Sequence, residues 1–108
     1  MAKWIRVVES NCTDAAREAE FHEWYNKVHL HDMLETPGII RATRYEAVEP
    51  KEGEARFLAV YEIETDDIDE LMKASQTNIA GKKAQGRMSD LIASGSHLNY
   101  RQIYSLSK

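Results

Sequence analysis

Apolar and polar positions alternate from Lys3 to Glu9, with Ile5 and Val7 on one side and Trp4, Arg6 and Val8 on the other, the period of two that predicts a strand. Asn11-Cys12-Thr13-Asp14 then offers short side-chain oxygens that can accept from unpaired backbone N–H groups, so a helix is expected from near Thr13. At about 100° per residue, Phe21, Trp24, Tyr25, Val28 and Asp32 fall on one helix face, and Pro37-Gly38 ends the run. Two stretches rich in β-branched and aromatic types follow, Ile39 to Val48 and Phe57 to Glu64. The turn-forming Glu49 to Glu54 between them predicts an antiparallel hairpin.

Thr65-Asp66-Asp67 is a second cap, and the acids Asp66, Asp67, Asp69 and Glu70 suit the positive end of a helix dipole. Ile68, Leu71, Met72, Ser75 and Ile79 form the stripe of that helix. Gly81 and Gly86 are expected to divide it from a further helical piece around Met88, Leu91 and Ile92. A last strand is expected where Leu98, Tyr100, Gln102, Tyr104 and Leu106 alternate with His97, Asn99, Arg101, Ile103 and Ser105. The order βαββαβ with a central hairpin is an α+β, ferredoxin-like arrangement: a four-stranded antiparallel sheet with both helices on one face. The other sheet face is left bare. If it is apolar, a second copy related by a two-fold axis covers it most simply, so a homodimer is expected.

Composition narrows the function. A length of 108 residues predicts one domain spanning 1–108, and 43% apolar against 30% charged residues gives enough core for a compact fold. With 14 Lys+Arg against 18 Asp+Glu the net charge is −4, the wrong balance for neutralising phosphates, so nucleic acid is not an expected partner. No stretch approaches the roughly 18 apolar residues of a membrane span, and Met1-Ala2-Lys3-Trp4 lacks the apolar core of a signal peptide. Cys12, the one cysteine, can form no intrachain bridge, which fits a reducing cytoplasm. Gly-rich phosphate loops, Gly-x-Ser-x-Gly elbows and Cys-x-x-Cys pairs are missing, so nucleotide-driven, serine-hydrolase and zinc-ribbon chemistry have no local support.

The run Glu20-Phe21-His22-Glu23-Trp24-Tyr25-Asn26-Lys27-Val28-His29-Leu30-His31-Asp32-Met33-Leu34, with Pro37-Gly38-Ile39 and Arg41-Ala42-Thr43-Arg44-Tyr45, resembles the dimeric α+β barrel superfamily, its EthD-like branch most of all. Phe57 to Ile63 is similar to the third strand of that group, and the likeness extends over most of residues 3–106. The resemblance implies a dimer that closes a barrel from two sheets, with a small-molecule pocket between helices and sheet in each subunit. Members of the superfamily include lactone isomerases, polyketide cyclases and cofactor-free monooxygenases of phenols. His29 matches the histidine of the EthD-like helix, and Asp32 the acidic residue often found after it.

His29 and Asp32, three residues apart, can face one cavity, where the carboxylate would orient the imidazole as a general acid or base. Tyr25, one turn earlier, can donate a hydrogen bond to a carbonyl or enolate oxygen. Trp24 can wall an aromatic ligand. On the second strand Arg41, Thr43 and Tyr45 share one face and Ile40, Ala42 and Arg44 the other, and alternation leaves open which is inward. Arg44 or Tyr45 there, with Tyr61 and Tyr100 on later strands, are candidate substrate-binding residues. No metal is expected, since His22 and His29 stand about 10.5 Å apart along the axis and His29 and His31 point about 160° apart. The expected function is a cofactor-independent enzyme moving a proton on an apolar, oxygenated ring compound, as an isomerase, cyclase or lactone-type enzyme. The alternatives are a non-catalytic binder of a small apolar or aromatic ligand and a cofactor-free monooxygenase of a phenol.

Overall fold

In the computed structural model, which describes Met1–Lys108, the strands β1 (Lys3–Cys12), β2 (Ile39–Glu46), β3 (Phe57–Glu64) and β4 (Ile92–Arg101) form one antiparallel sheet in the order β2-β3-β1-β4. The βαββαβ order and the split arrangement are those of the ferredoxin-like fold. Along the central β1–β3 ladder Trp4, Arg6, Val8 and Ser10 stand opposite Ile63, Tyr61, Ala59 and Phe57. Because side chains alternate across a sheet, this set shares one face, and Phe57, Ala59, Tyr61 and Ile63 are all buried under the helices.

The first helix is built in pieces: α1 (Glu18–Trp24), a π-helical turn (Tyr25–His29) and α2 (Leu30–Met33), entered through a 3-10 turn at Ala15–Arg17. Asp14 caps the entry by accepting from the Ala16 N–H at 3.0 Å. The second helix, α3 (Ile68–Ala84), is capped by Asp67, which accepts from the Glu70 N–H at 3.1 Å. Phe21, Tyr25 and Leu71 press into the sheet with the β3 residues as one buried cluster. Gly38 makes the turn from the first helix into β2 at φ +99°, and a Cβ there would meet Leu71 Cδ1 at 2.5 Å and Glu64 O at 3.1 Å.

Three boundaries differ from the sequence reading, each for a backbone reason. The second helix runs unbroken through Gly81, because an isolated glycine costs only about 1 kcal/mol in a helix already docked on a core, and the chain turns at Gly86 with φ +76° instead. No helical piece follows: Leu91 O accepts from the Thr13 N–H at 2.8 Å and Ile92 pairs with Cys12, so β4 begins where β1 ends. The same ladder stops β4 at Arg101. Its partner begins at Lys3, whose carbonyl takes the Gln102 N–H at 2.7 Å, and residues 103–106 have no strand to pair with. β2 likewise ends at Glu46, short of Val48.

The sheet face away from the helices carries Ile5 opposite Tyr100, Val7 opposite Leu98, and Tyr45 opposite Leu58. Ile5, Leu98, Tyr100 and Tyr45 are between 38% and 55% exposed, which leaves an apolar sheet surface open to water. No helix is long and apolar enough to cross a membrane.

Candidate functional site

A cavity of about 310 Å³ lies between the helices and the inner face of the sheet. Local periodicity builds its walls. From α3, Met72, Ser75, Gln76 and Ile79 project at i, i+3, i+4 and i+7, and from the first helix Tyr25, His29 and Met33 follow at i, i+4 and i+8. Strand pairing sets Arg6 beside Tyr61, and the exposed Ser94 and His97 of β4 stand at the cavity rim with Gln76.

A π turn lies where the first helix faces this space. Leu30 N–H bonds to Tyr25 O, a span of five residues, and the widened turn brings His29 inward while Val28 stays half-buried. The imidazole lies against Trp24, with ring centroids 4.8 Å apart and planes 20° from parallel, and meets the edge of Tyr25 at 5.2 Å. Burial lowers its pKa from the ordinary 6.5 to about 4, because an imidazolium here gives up its hydration, while the carboxylate of Asp32 pulls weakly the other way. His29 is therefore a neutral base at neutral pH.

Asp32 does not orient His29 as the spacing suggested. Its carboxylate is gripped by Arg87, Nε to Oδ2 at 2.8 Å and Nη2 to Oδ1 at 2.9 Å, and these two hydrogen bonds hold its pKa down. Trp24 Nε1 donates to Arg87 O at 2.8 Å, and Asn78 Nδ2 to Asp32 O at 2.7 Å, so Trp24 backs His29 and does not line the cavity. Arg87 is the partner that spacing did not reveal, since it lies 55 residues from Asp32.

Tyr25 and Tyr61 are where the sequence suggested, in the cavity wall. Their hydroxyls, with that of Ser10, are buried and have no hydrogen-bond partner. They lie close enough to perturb one another, although no pair meets hydrogen-bond geometry. Burial pushes both phenols to higher pKa, so each stays a protonated donor.

The other candidates are elsewhere. A bulge between Ile39 and Arg41 sets β2 so that Ala42 and Arg44 pair opposite the inward Tyr61 and Ala59, and Tyr45 faces outward. Tyr100, opposite Ile5, also lies on the outer face. Arg44 points inward but not into the cavity: its guanidinium sits 4.3 Å over the Tyr25 ring and donates to His22 Nδ1 at 3.1 Å and Asn26 Oδ1 at 2.9 Å. Alternation sets which residues of a strand share a face but not which face is buried, and in the structure Tyr45 and Tyr100 lie on the outer one. No group of three or more His, Cys, Asp or Glu side chains converges as metal ligands.

No family model and no curated protein sequence matches the chain. Solved structures do. HapK from Hahella chejuensis superposes with a TM-score of 0.70 at 17% identity, over 97% of each chain. SnoaB, a cofactor-independent oxygenase from Streptomyces nogalater, gives a TM-score of 0.69 at 12% identity over 100% of both chains. An EthD family protein from Bacillus halodurans gives 0.58 at 18% identity, over 95% of this chain and 100% of its own. The fold is thus the ferredoxin-like α+β fold, which this chain shares with these structures.

The buried imidazole ties stability to pH. The unfolded chain binds the His29 proton at its ordinary pKa of 6.5 and the folded chain only near 4, so lowering the pH through that interval favours unfolding. Denaturant titrations between pH 7 and 4 should lose on the order of 3 kcal/mol from this group, with the depressed Asp32 pKa adding loss in the same direction. A His29→Leu variant should show a shallower decline over the same range. Identical pH profiles for the two proteins would contradict the assignment.

Proposed function

We propose that the protein is a cofactor-independent enzyme that moves a proton within a small, apolar, oxygen-bearing ring compound, as an isomerase or cyclase does. The observation that carries this reading is the neutral imidazole of His29 in an apolar cavity wall beside the unpartnered hydroxyls of Tyr25 and Tyr61. In the proposed reaction His29 removes a proton from a carbon next to a carbonyl. The electron pair moves to the oxygen as an enolate, and a tyrosine hydroxyl donates to that oxygen. The imidazolium then returns the proton to another atom of the same substrate. A pKa near 4 makes the free imidazole a weak base, and the enolate formed beside it stabilises the imidazolium during the step.

Turnover is best followed as deuterium uptake from D2O into cyclic unsaturated ketones and lactones. His29→Gln should slow exchange by about 10²–10⁴-fold while ligand binding persists. Exchange at the parental rate in that variant would refute the mechanism, and a wild type that binds these compounds without exchanging them would be a binding protein. A second reading, cofactor-free oxygenation of a phenol, draws on the likeness in fold to SnoaB. It requires the substrate anion to consume O2, so oxygen uptake during turnover favours it over isomerisation.

The proposal includes a homodimer formed through the outer sheet face, whose exposed Ile5, Leu98 and Tyr100 are the apolar surface a second sheet would cover. Sedimentation should give a dimer at micromolar concentration, and Leu98→Asp should weaken it about a hundredfold or more by burying an unpaired carboxylate. A monomeric wild type would exclude this assembly.

A further inference from the structure

Arg6 lies in the wall of the cavity without an acidic partner. Arg17, Arg41, Arg56 and Arg87 each pair with a carboxylate; Arg6, like Arg44 and Arg101, has none, and of these three it alone lines the cavity. Its guanidinium is held instead by neutral acceptors on β4, Nη1 donating to Asn99 Oδ1 at 2.9 Å and Nη2 to His97 Nδ1 at 3.2 Å. Burial lowers the pKa of Arg6, the mark of a cation that has given up water without a counter-charge. Partial loss of water and the nearby Arg6 charge both lower the pKa of His97.

The surroundings sharpen the point. The chain carries a net charge of −4, yet no Asp or Glu lines the cavity. Asp32, the nearest buried acid on the first helix, is already held by Arg87. The cavity wall therefore has a single fixed positive charge, opposite apolar side chains such as Met72, Ile79 and Met88. Two of the five guanidinium N–H groups are taken by Asn99 and His97, which fix its orientation, and three remain to donate.

We infer that the ligand of this cavity is an amphiphilic monoanion, an apolar ring body bearing one carboxylate, with the carboxylate received by Arg6 between His97 and Asn99. The inference rests on the proposed reading of the cavity as a ligand site and adds the substrate class. Arg6 acts as a binding and specificity residue. The rim residues Ser94 and Gln76 admit the ring, and the anion end anchors it so that the body lies toward His29.

The test compares 2-naphthoate with its neutral isostere 2-naphthamide by calorimetric titration of the whole chain. Wild type should prefer the acid by tenfold or more, and Arg6→Gln should bring the ratio near one with amide affinity unchanged. Should that variant fail to fold, Asn99→Asp gives Arg6 an internal carboxylate and should abolish the preference equally. Arg44→Gln should leave it intact. Equal affinity of wild type for the two probes, or a preference that survives both Arg6→Gln and Asn99→Asp, would overturn the carboxylate assignment alone. Binding of neither probe would overturn the cavity as a ligand site, and the proposed function with it.

Discussion

The His29 ring is held by the flat face of Trp24 on one side and the edge of Tyr25 on the other, inside a helical turn one residue wider than usual. That stack removes water from the imidazole and so fixes its protonation state. Everything proposed for the cavity follows from this: a protonated ring would repel Arg6, lose its capacity to accept a proton, and carry the cost of an unpaired buried charge. The π turn carries this arrangement, with His29 buried and Val28 only half-buried.

The stack is in turn fastened from behind. Arg87 receives the indole N–H on its carbonyl and grips Asp32 with its guanidinium, and Asn78 ties the Asp32 carbonyl to α3. These contacts join both helices and the segment leading into β4, and that segment brings Met88 and Ile92 to the cavity wall. Asp32 is only 3% exposed, so removing Arg87 would leave a buried carboxylate without its partner. The pair is a structural clasp that shapes the cavity, and in the proposed reaction the proton transfer is left to His29 and the tyrosines.

Much of the fold was legible in the chain because hydrophobic period and cap chemistry agreed: the Phe57–Glu64 strand, the Asp67 cap and the central hairpin all lie where the pattern put them. That His29, Tyr25 and Tyr61 lie on inward faces follows from the same periodicity. Failures came where a non-local contact decides. Local spacing pairs Asp32 with His29, whereas its actual partner, Arg87, arrives from the segment beyond α3. The outer-face positions of Tyr45 and Tyr100 are not legible from alternation, which leaves open which parity packs under the helices, and the final strand stops short of its pattern because a ladder ends with its partner at Lys3. Arg6 was visible in principle, as the one charge between Trp4 and Val8 on an otherwise apolar strand face, a pattern that marks either a bulge or a buried cation.

The ionisation of one ring decides the account. A ¹H–¹⁵N NMR titration of the imidazole resonances, with His29 assigned by its loss in His29→Gln, reads that pKa directly. A midpoint well below 6.5, close to 4, is the expected result. A midpoint at 6.5 or above would mean that the ring meets water freely, and neither the stacked, dry base nor the reaction built on it would stand.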